Sequence, residues 1–290
     1  MKFPALAVLL CSLLIQGPAL GADAITWVRH NFMPNPPGQL PPYKEEVLEL
    51  VLSKSEAKYG KYRMVYQPPS TQARAFRELQ DNQLDVIGTS WDAEREQMAQ
   101  PIRFDLYKGL MGLRVGITPA ERLAEVNGLS DWPALRKLPI GVGADWPSAP
   151  KFRQAGLNAV NMLHFDAGAR RMRLGGMDLI LLGIAEAERL AVQKGFSVVS
   201  AWGLYVDEPY YFWVRKGRSV LAERIDYGFR AAIADGSLEA LFEKRIEPYL
   251  TRWLGANPMV FDLRAGGPPV TAEAFRALVL NPVMKAAWQN

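Results

Sequence analysis

The sequence predicts an α/β protein with two lobes, each built on a mixed sheet that is flanked by helices. Two observations predict this class. Segments typical of strands alternate with segments typical of amphipathic helices along two stretches of the 290-residue chain. Two extended apolar segments, residues 107–116 and 210–214, bracket the second stretch. A chain that crosses from one lobe to the other and back has this layout, with two hinge crossings and a cleft between the lobes.

The first 22 residues have the pattern of a secretory signal peptide. Lys2 is followed by about a dozen apolar residues and then by a segment of small residues. We expect cleavage after Gly21 or Ala22, and therefore an exported mature chain. Cys11 follows the bulky Leu10, whereas a lipidation site has a small residue there, so a lipoprotein is the less favoured interpretation.

The composition excludes several classes of chemistry. Cys11 is the only Cys, so the mature chain has neither a disulfide framework nor a thiolate nucleophile. The two histidines, His30 and His164, are too few for a His-rich metal site. The formal charge is +4 and the basic residues are scattered singly, which disfavours a nucleic-acid partner. We therefore expect no metal, no cofactor and no nucleic acid.

The first α/β stretch has the order βαβαβ. A Pro- and Gly-rich loop separates its first strand from a helix that carries apolar residues on one side. Because ligand crevices lie at the carboxyl ends of strands in such sheets, we expect the site at the loops after Val28, Tyr66 and Gly88. The predicted strands are residues 24–28, 62–66 and 85–88, and the predicted helices are residues 43–58 and 71–80.

The second stretch follows a polar helical segment, residues 118–127, and repeats the alternation. Beyond it, two helices run to about residue 249, and two loops precede a last helix from residue 271 to about residue 280. The predicted strands are residues 138–143, 162–164, 177–182 and 196–200, and the predicted helices are one from Ser148 and those at 166–174 and 184–194.

Five local patterns occur in order between residues 25 and 250. They are residues 76–86, with Asn82 at the Gly place of a helix-to-strand turn; 91–95 with 101–104; 129–135 with 140–143; 173–178; and 233–238. In this order and spacing the chain resembles the extracellular solute-binding proteins of bacterial ABC transporters, family 3 type, which include binders of polar amino acids. The repeated Gly/Asn-x-x-Asp units also have a structural interpretation, as helix ends followed by a capping Asp.

The resemblance implies the periplasmic-binding-protein type 2 architecture and a periplasmic location. It places the first lobe at residues 23–113 plus 203–250 and the second at 114–202. The signal peptide is then 1–22, and residues 251–290 form a C-terminal extension packed on the first lobe or on a partner. The implied partners are a small-molecule solute and a membrane permease of an ABC transporter or a membrane sensor, and the chain is expected to be a monomer.

At the position of Arg95 the family has an Arg that holds a ligand carboxylate, a role that suits a planar fork of donors. The alternative is a solvated Arg95 beside Glu94 and Glu96. Two departures alter the expected pocket. Asp92 replaces a Thr of the family, and its charge would repel a ligand carboxylate. Gly183 replaces an Asp that pairs with the ligand ammonium in amino-acid binders, so we expect a ligand other than an ordinary α-amino acid.

Aromatic and polar residues at the predicted strand ends are the remaining candidates for ligand contacts. Trp rings from opposite lobes can clamp a flat or cationic ligand, with Asp92 or Asp145 supplying charge. Ser148 can cap the helix that follows it, whose N-terminus favours an anion. The alternative is that the Trp residues pack in the core or the hinge. The candidates are Trp27, Phe32, Thr89, Ser90, Trp91, Asp92, Asp145, Trp146 and Ser148.

The sequence therefore predicts a non-enzymatic protein whose lobes close on a small polar or carboxylate-bearing solute. Two alternatives stay open. The first is a sensory or interaction module on the same fold that has lost its ligand. The second is a periplasmic enzyme of the cyclohexadienyl dehydratase type, which needs a carboxylate acid or base in the cleft. Asp92, Asp145 and Glu208 are the candidates for that role, and no motif supports them.

Overall fold

A computed structural model describes residues 25–32, 42–129, 131–266 and 268–288. The predicted signal peptide, residues 1–22, lies outside the described residues. Within the described ranges, no helix is both long enough and apolar enough to cross a membrane. Two sheets organise the structure, and each forms the centre of one lobe.

Strands and helices alternate along most of the described chain. The strands are β1 (Thr26–His30), β2 (Tyr62–Tyr66), β3 (Val86–Ser90), β4 (Ala99–Ile102), β5 (Leu113–Thr118), β6 (Ile140–Gly143), β7 (Ala159–Met162), β8 (Leu179–Gly183), β9 (Ser197–Val198), β10 (Trp202–Tyr205), β11 (Tyr210–Arg215), β12 (Met259–Asp262) and β13 (Val270–Thr271). The α-helices are α1 (Tyr43–Lys54), α2 (Glu56–Tyr59), α3 (Gln72–Gln80), α4 (Ala93–Met98), α5 (Leu123–Asn127), α6 (Trp132–Leu135), α7 (Ser148–Gln154), α8 (Phe165–Arg173), α9 (Ile184–Lys194), α10 (Ser219–Ala234), α11 (Ser237–Arg245), α12 (Glu247–Gly255), α13 (Ala272–Phe275) and α14 (Asn281–Ala286).

Both sheets are mixed, as the sequence predicts. The first lobe has the strand order β2-β1-β3-β11-β4, in which β11 runs antiparallel to both neighbours. The second lobe has the order β13-β12-β10-β5-β8-β6-β7, with β9 paired to β5. β5 and β8 are buried along their whole length, as expected for central strands that helices cover.

The core of the first lobe forms where α1 packs on α10. α1 buries Val47, Leu48 and Val51, which the sequence predicts to share its apolar side. Gly228 on α10 makes the close approach possible, because a Cβ atom there would lie 1.9 Å from the carbonyl oxygen of Val51. The two helix backbones therefore meet at a distance that a larger residue would prevent.

The predicted helix-to-strand turn at Asn82 is confirmed. Asn82 has φ +58°, the left-handed conformation that Gly and Asn adopt most readily. Asp85 then accepts a hydrogen bond from the backbone N–H of Arg29 at 2.9 Å and pairs with the Arg29 side chain. This unit ties α3 to the sheet and has no part in the cleft.

The structure corrects the predicted return crossing and the place of the C-terminal segment. β10 pairs with β5 and β12, so the chain leaves the second sheet after Tyr205 instead of at residue 203. α12 packs on α9, and β12 and β13 extend the second sheet, whereas the sequence predicts residues 251–290 on the first lobe or a partner. β12 lies in the second sheet because β10 would otherwise present an unpaired edge, and an unpaired strand edge is a template for another strand.

The end of the described chain then returns to the first lobe. Trp288 donates its Nε1–H to the carbonyl oxygen of Asp105 at 2.8 Å, and its ring centroid lies 6.0 Å from that of Phe242 on α11. The C-terminal segment therefore contacts both lobes.

One strand of the second lobe is displaced from its prediction. The predicted strand 162–164 forms at Ala159–Met162 instead, because His164 is the N-cap of α8 and accepts from the backbone N–H of Ala167 at 3.2 Å.

Candidate functional site

A cavity of about 380 Å³ lies between the two lobes. Residues that follow the three predicted strands of the first α/β stretch contribute to its wall, among them Asn31, Ser70 and Ser90. The opposite wall comes from β5 and from the junction of β8 and α9. The charged residues on the walls are Lys44, Arg114, Glu186, Arg189, Glu208 and Arg245.

Half of these charges are held by ion pairs within the chain. Arg114 and Glu208, both buried, form an ion pair between Nη2 and Oε2. The Arg114 guanidinium also lies 5.4 Å from the ring centroid of Trp146. Arg245 pairs with Glu46. These pairs fix the cavity walls and contribute no net charge.

Lys44, Glu186 and Arg189 form no ion pair among the described residues. The Lys44 ammonium lies 5.1 Å from the ring centroid of Phe32, and Arg189 donates to Gln193 at 3.1 Å. Burial lowers the pKa of Lys44, Glu186 partly offsets this effect, and Arg189 adds to it. The three side chains together carry one net positive charge, so the cavity attracts an anionic group.

Aromatic residues form the less polar part of the wall. Burial raises the pKa values of Tyr107 and Tyr210, so both hydroxyls stay protonated at neutral pH. Tyr210 donates its hydroxyl to the carbonyl oxygen of Gly88. Trp146 lies over Gly143, where a Cβ atom would come within 2.2 Å of the indole nitrogen. The glycine therefore creates the space that the indole fills.

Arg95, the residue expected to hold a ligand carboxylate, is buried and has a partner for each of its donor groups. It is therefore neither solvated nor free to grip a solute. The hydrogen-bond acceptors are Thr89 Oγ1 (2.9 Å), Ser90 O (2.8 Å), Gln72 Oε1 (2.6 Å) and Asp145 O (2.7 Å), and Nε forms an ion pair with Asp92 Oδ2 at 3.3 Å.

Thr89, Ser90 and Asp92 support Arg95. Thr89 and Ser90 are buried and line the cavity, but Thr89 Oγ1 also donates to Gln72 Oε1 at 2.9 Å. Asp92 is the N-cap of α4 and accepts from the backbone N–H of Arg95 at 2.7 Å. The carboxylate that replaces the Thr of the family thus faces Arg95 and offsets its charge.

Of the Trp residues predicted to clamp a ligand from opposite lobes, the first-lobe members Trp27 and Trp91 do not line the cavity. Trp27 is 52% exposed, because strand alternation turns Val28 inward and Trp27 outward. Trp91 donates its Nε1–H to Glu96 at 2.7 Å and lies outside the cavity lining. Phe32 is fully buried and serves as the platform under Lys44.

Of the second-lobe candidates, one lines the cavity and the others do not. Trp146 lines the cavity, whereas the Asp145 carboxylate accepts from the backbone N–H of Gln72 at 3.0 Å. The prediction that Ser148 caps α7 is wrong. Pro147 holds the N-cap position, and Ser148 is the first helical residue, buried, and its hydroxyl has no hydrogen-bond partner among the described residues.

Sequence reasoning missed Lys44, Glu186 and Arg189, although each carries a signal. Lys44 is a cation in the first turn of a helix, where the macrodipole disfavours it. Glu186 lies three residues after Gly183, about one helical turn beyond the strand end. Arg189 follows Glu186 at the i+3 spacing that puts both on one helix face.

No protein-family model matches the chain, and no curated protein matches its sequence. Solved structures do match it. An ancestral arginine-binding protein bound to arginine is 18% identical with a TM-score of 0.58, over 78% of this chain and 99% of that one. An amino acid ABC transporter substrate-binding protein from Streptococcus pneumoniae, bound to L-arginine, is 13% identical with a TM-score of 0.58, over 76% and 93%.

A histidine kinase sensor domain with similarity to periplasmic binding proteins is 16% identical with a TM-score of 0.57, over 78% of this chain and 97% of that one. At these identities the similarity is one of fold. It confirms the predicted two-lobed architecture of the periplasmic binding proteins.

Proposed function

We propose that this chain is a periplasmic solute-binding protein that captures a small polar, carboxylate-bearing solute between its lobes for an ABC transporter. The observation that carries the proposal is the set of three charged side chains on the cavity walls that form no ion pair within the described part of the chain. Lys44 belongs to the first lobe, whereas Glu186 and Arg189 belong to the second. A solute that contacts all three binds both lobes at once, and it therefore favours their closed arrangement.

The charge of the site favours an anionic solute. A carboxylate near Lys44 and Arg189 would offset their excess positive charge in a partly dehydrated cavity, where such attraction is stronger than in water. The same carboxylate would favour the charged form of Lys44 and raise its lowered pKa. Glu186 would accept hydrogen bonds from a hydroxyl or amino group on the same solute.

Glu186 also changes the argument against an α-amino acid. That expectation rests on Gly183, which has no side chain to pair with a ligand ammonium. Glu186 supplies an acid on the same lobe, within the cavity lining. Amino acids therefore remain in the class of solutes to be tested.

A sensory or interaction module is the second candidate function. Its support is the contact between Arg95 and Asp145, which joins the lobes through residues of this chain alone. The likeness in fold to a histidine kinase sensor domain is consistent with it. The side chains of the cavity do not favour the enzyme alternative, because Asp92 and Asp145 do not line it and Glu208 is paired with Arg114.

A binding screen tests the proposal. Thermal unfolding of the purified chain is measured with monocarboxylates, dicarboxylates, α-amino acids and polyamines, and each hit is titrated by calorimetry. We expect a carboxylate-bearing solute to raise the melting temperature, since it binds only the folded chain. Lys44→Met should weaken the binding of that solute at least tenfold, equivalent to about 1.4 kcal/mol.

Lys137→Met is the matched control, because Lys137 is an exposed second-lobe lysine outside the cavity, and its substitution should leave the affinity unchanged. A screen in which no carboxylate shifts the melting temperature would contradict solute capture and favour the interaction module. A shift with polyamines alone would contradict the charge argument.

A further inference from the structure

Contacts between residues of this chain join the two lobes across the cleft. Asp145 follows β6 in the second lobe, whereas Arg95 and Gln72 belong to α4 and α3 in the first. Arg95 donates from Nη2 to the carbonyl oxygen of Asp145 at 2.7 Å. The backbone N–H of Gln72 donates to the Asp145 carboxylate at 3.0 Å. Separation of the lobes therefore has to break both hydrogen bonds.

Asp145 lies in a positive electrostatic environment. Gln72 is the first residue of α3, and the free N–H groups of a helix N-terminus attract anions. Thr71 caps the N–H of Arg74, so the N–H of Gln72 remains for Asp145. Burial lowers the pKa of the Arg95 guanidinium, and the charges of Asp92 and then Asp145 oppose this effect. The first lobe thus holds Asp145 at two points, the carboxylate at the N-terminus of α3 and the backbone carbonyl oxygen at Arg95.

The remaining donors of Arg95 cannot serve a solute. Nη1 bonds to Thr89 and Ser90, and Nε faces Asp92, all within the first lobe. A solute carboxylate could reach the guanidinium only if it displaced one of these acceptors or Asp145. Because a buried charge needs its partners, such displacement would cost more than binding to Lys44, for which the described residues supply no ion-pair partner.

We propose that Asp145 latches the two lobes closed without solute, because its carboxylate is held by the N-terminus of α3 and its backbone carbonyl oxygen by Arg95. Asp145 is then a positioning residue. It sets the spacing between the cavity walls that carry Lys44 and Glu186, and it contacts no solute itself. The latch goes beyond the proposed function, because it forms whether or not a solute binds.

Pulsed electron paramagnetic resonance measures the latch directly. Spin labels are attached to Arg77→Cys on the first lobe and Gln154→Cys on the second, both exposed positions, in a Cys11→Ser background. The distance distribution is recorded without solute. We expect one narrow distance in this parent and a longer, broader distribution when Asp145→Ala is added. Circular dichroism of each variant verifies that it is folded.

Two further variants sharpen the test. Asp145→Asn keeps an oxygen acceptor for the Gln72 N–H and should restore most of the short-distance population. Glu121→Ala removes an exposed acid from the same lobe and should leave the distribution unchanged. A distribution that Asp145→Ala does not alter, or a parent that is already broad, would overturn the latch. Because no solute is present, this result is independent of the binding screen.

Discussion

Two cationic side chains of the first lobe lie near the cleft, and they differ in how many partners the chain supplies to them. Arg95 is buried among acceptors that satisfy its donors, including one from the second lobe. Lys44 lies against an aromatic ring and forms no ion pair among the described residues. A cation at a strand or helix end is therefore a candidate for ligand contact only if acceptors within the chain do not already pair with it.

The chemistry of the two side chains explains the difference. A guanidinium stays charged when it is buried, so its burial requires several fixed acceptors. An ammonium on a flexible stem tolerates partial burial, because its pKa shifts downward instead. The first arrangement builds a rigid junction, and the second leaves a charge available to a partner.

The largest expected effect is the loss of the Arg95 junction. Arg95→Leu should lower the free energy of unfolding by about 3–5 kcal/mol, because it leaves buried acceptors and the Asp92 charge unpaired. Urea denaturation followed by circular dichroism measures the change. Arg77→Leu, on the exposed side of α3, should stay within about 0.5 kcal/mol of the parent. A small loss of stability together with lost solute binding would reverse the roles assigned to Arg95 and Lys44.

A pH effect should come from His30, on the Lys44 side of the cleft. Burial, and then the Lys44 charge, lower the pKa of His30 to about 4 from 6.5. The unfolded chain therefore takes up a proton between pH 6.5 and pH 4 that the folded chain does not, and stability falls as the pH falls through this window. The contribution of His30 between pH 7 and pH 5 is about 2 kcal/mol.

Urea denaturation at a series of pH values checks this contribution. His30→Phe keeps a ring beside Phe32 and Tyr66 and should flatten the acid side of the stability profile. An unchanged slope in this variant would show that other groups produce the pH dependence and that His30 is not held neutral.

The smallest expected effect concerns the second-lobe wall. Gly143→Ala places a Cβ atom against Trp146 and should displace the indole toward the cavity at a cost of about 1 kcal/mol, the low end for overpacking. Intrinsic fluorescence and urea denaturation report the displacement. Gly255→Ala is the matched control, because a Cβ atom there would meet no described residue within 4 Å apart from its chain neighbours and the backbone of its own helix. If both variants have the same fluorescence as the parent, Trp146 does not depend on Gly143 for its place.

Much of the fold follows from local patterns. The alternation of strands and helices, the helix at Ile184–Lys194 and the strand at Tyr62–Tyr66 form where the sequence predicts them. The turn at Asn82 likewise depends on residues close in the chain. β10 and β12 were not predicted, because they are short strands whose pairing with each other and with β5 depends on distant residues.

The candidate site likewise contains some residues that local sequence patterns predict and others that depend on contacts distant in sequence. Strand ends identified Thr89, Ser90 and Trp146 on the cavity wall, and the family pattern drew attention to Arg95. Neither could show that Arg95 is already occupied. Lys44 and Glu186 were missed because they lie in first helical turns, where sequence alone does not distinguish a solvated charge from one that faces a cavity.

The sequence by itself determined the two-lobed α/β architecture and the end of the sheets at which the cleft lies. These features follow from periodicity, from turn residues and from the order of elements, which act over a few residues. Only the tertiary structure decided which charges are satisfied. Arg95 meets Asp145 across 50 residues of sequence, and Arg114 meets Glu208 across 94. Whether a charged side chain has a partner depends on which groups lie near it in space. The cation that could bind a solute therefore became identifiable only in the folded chain.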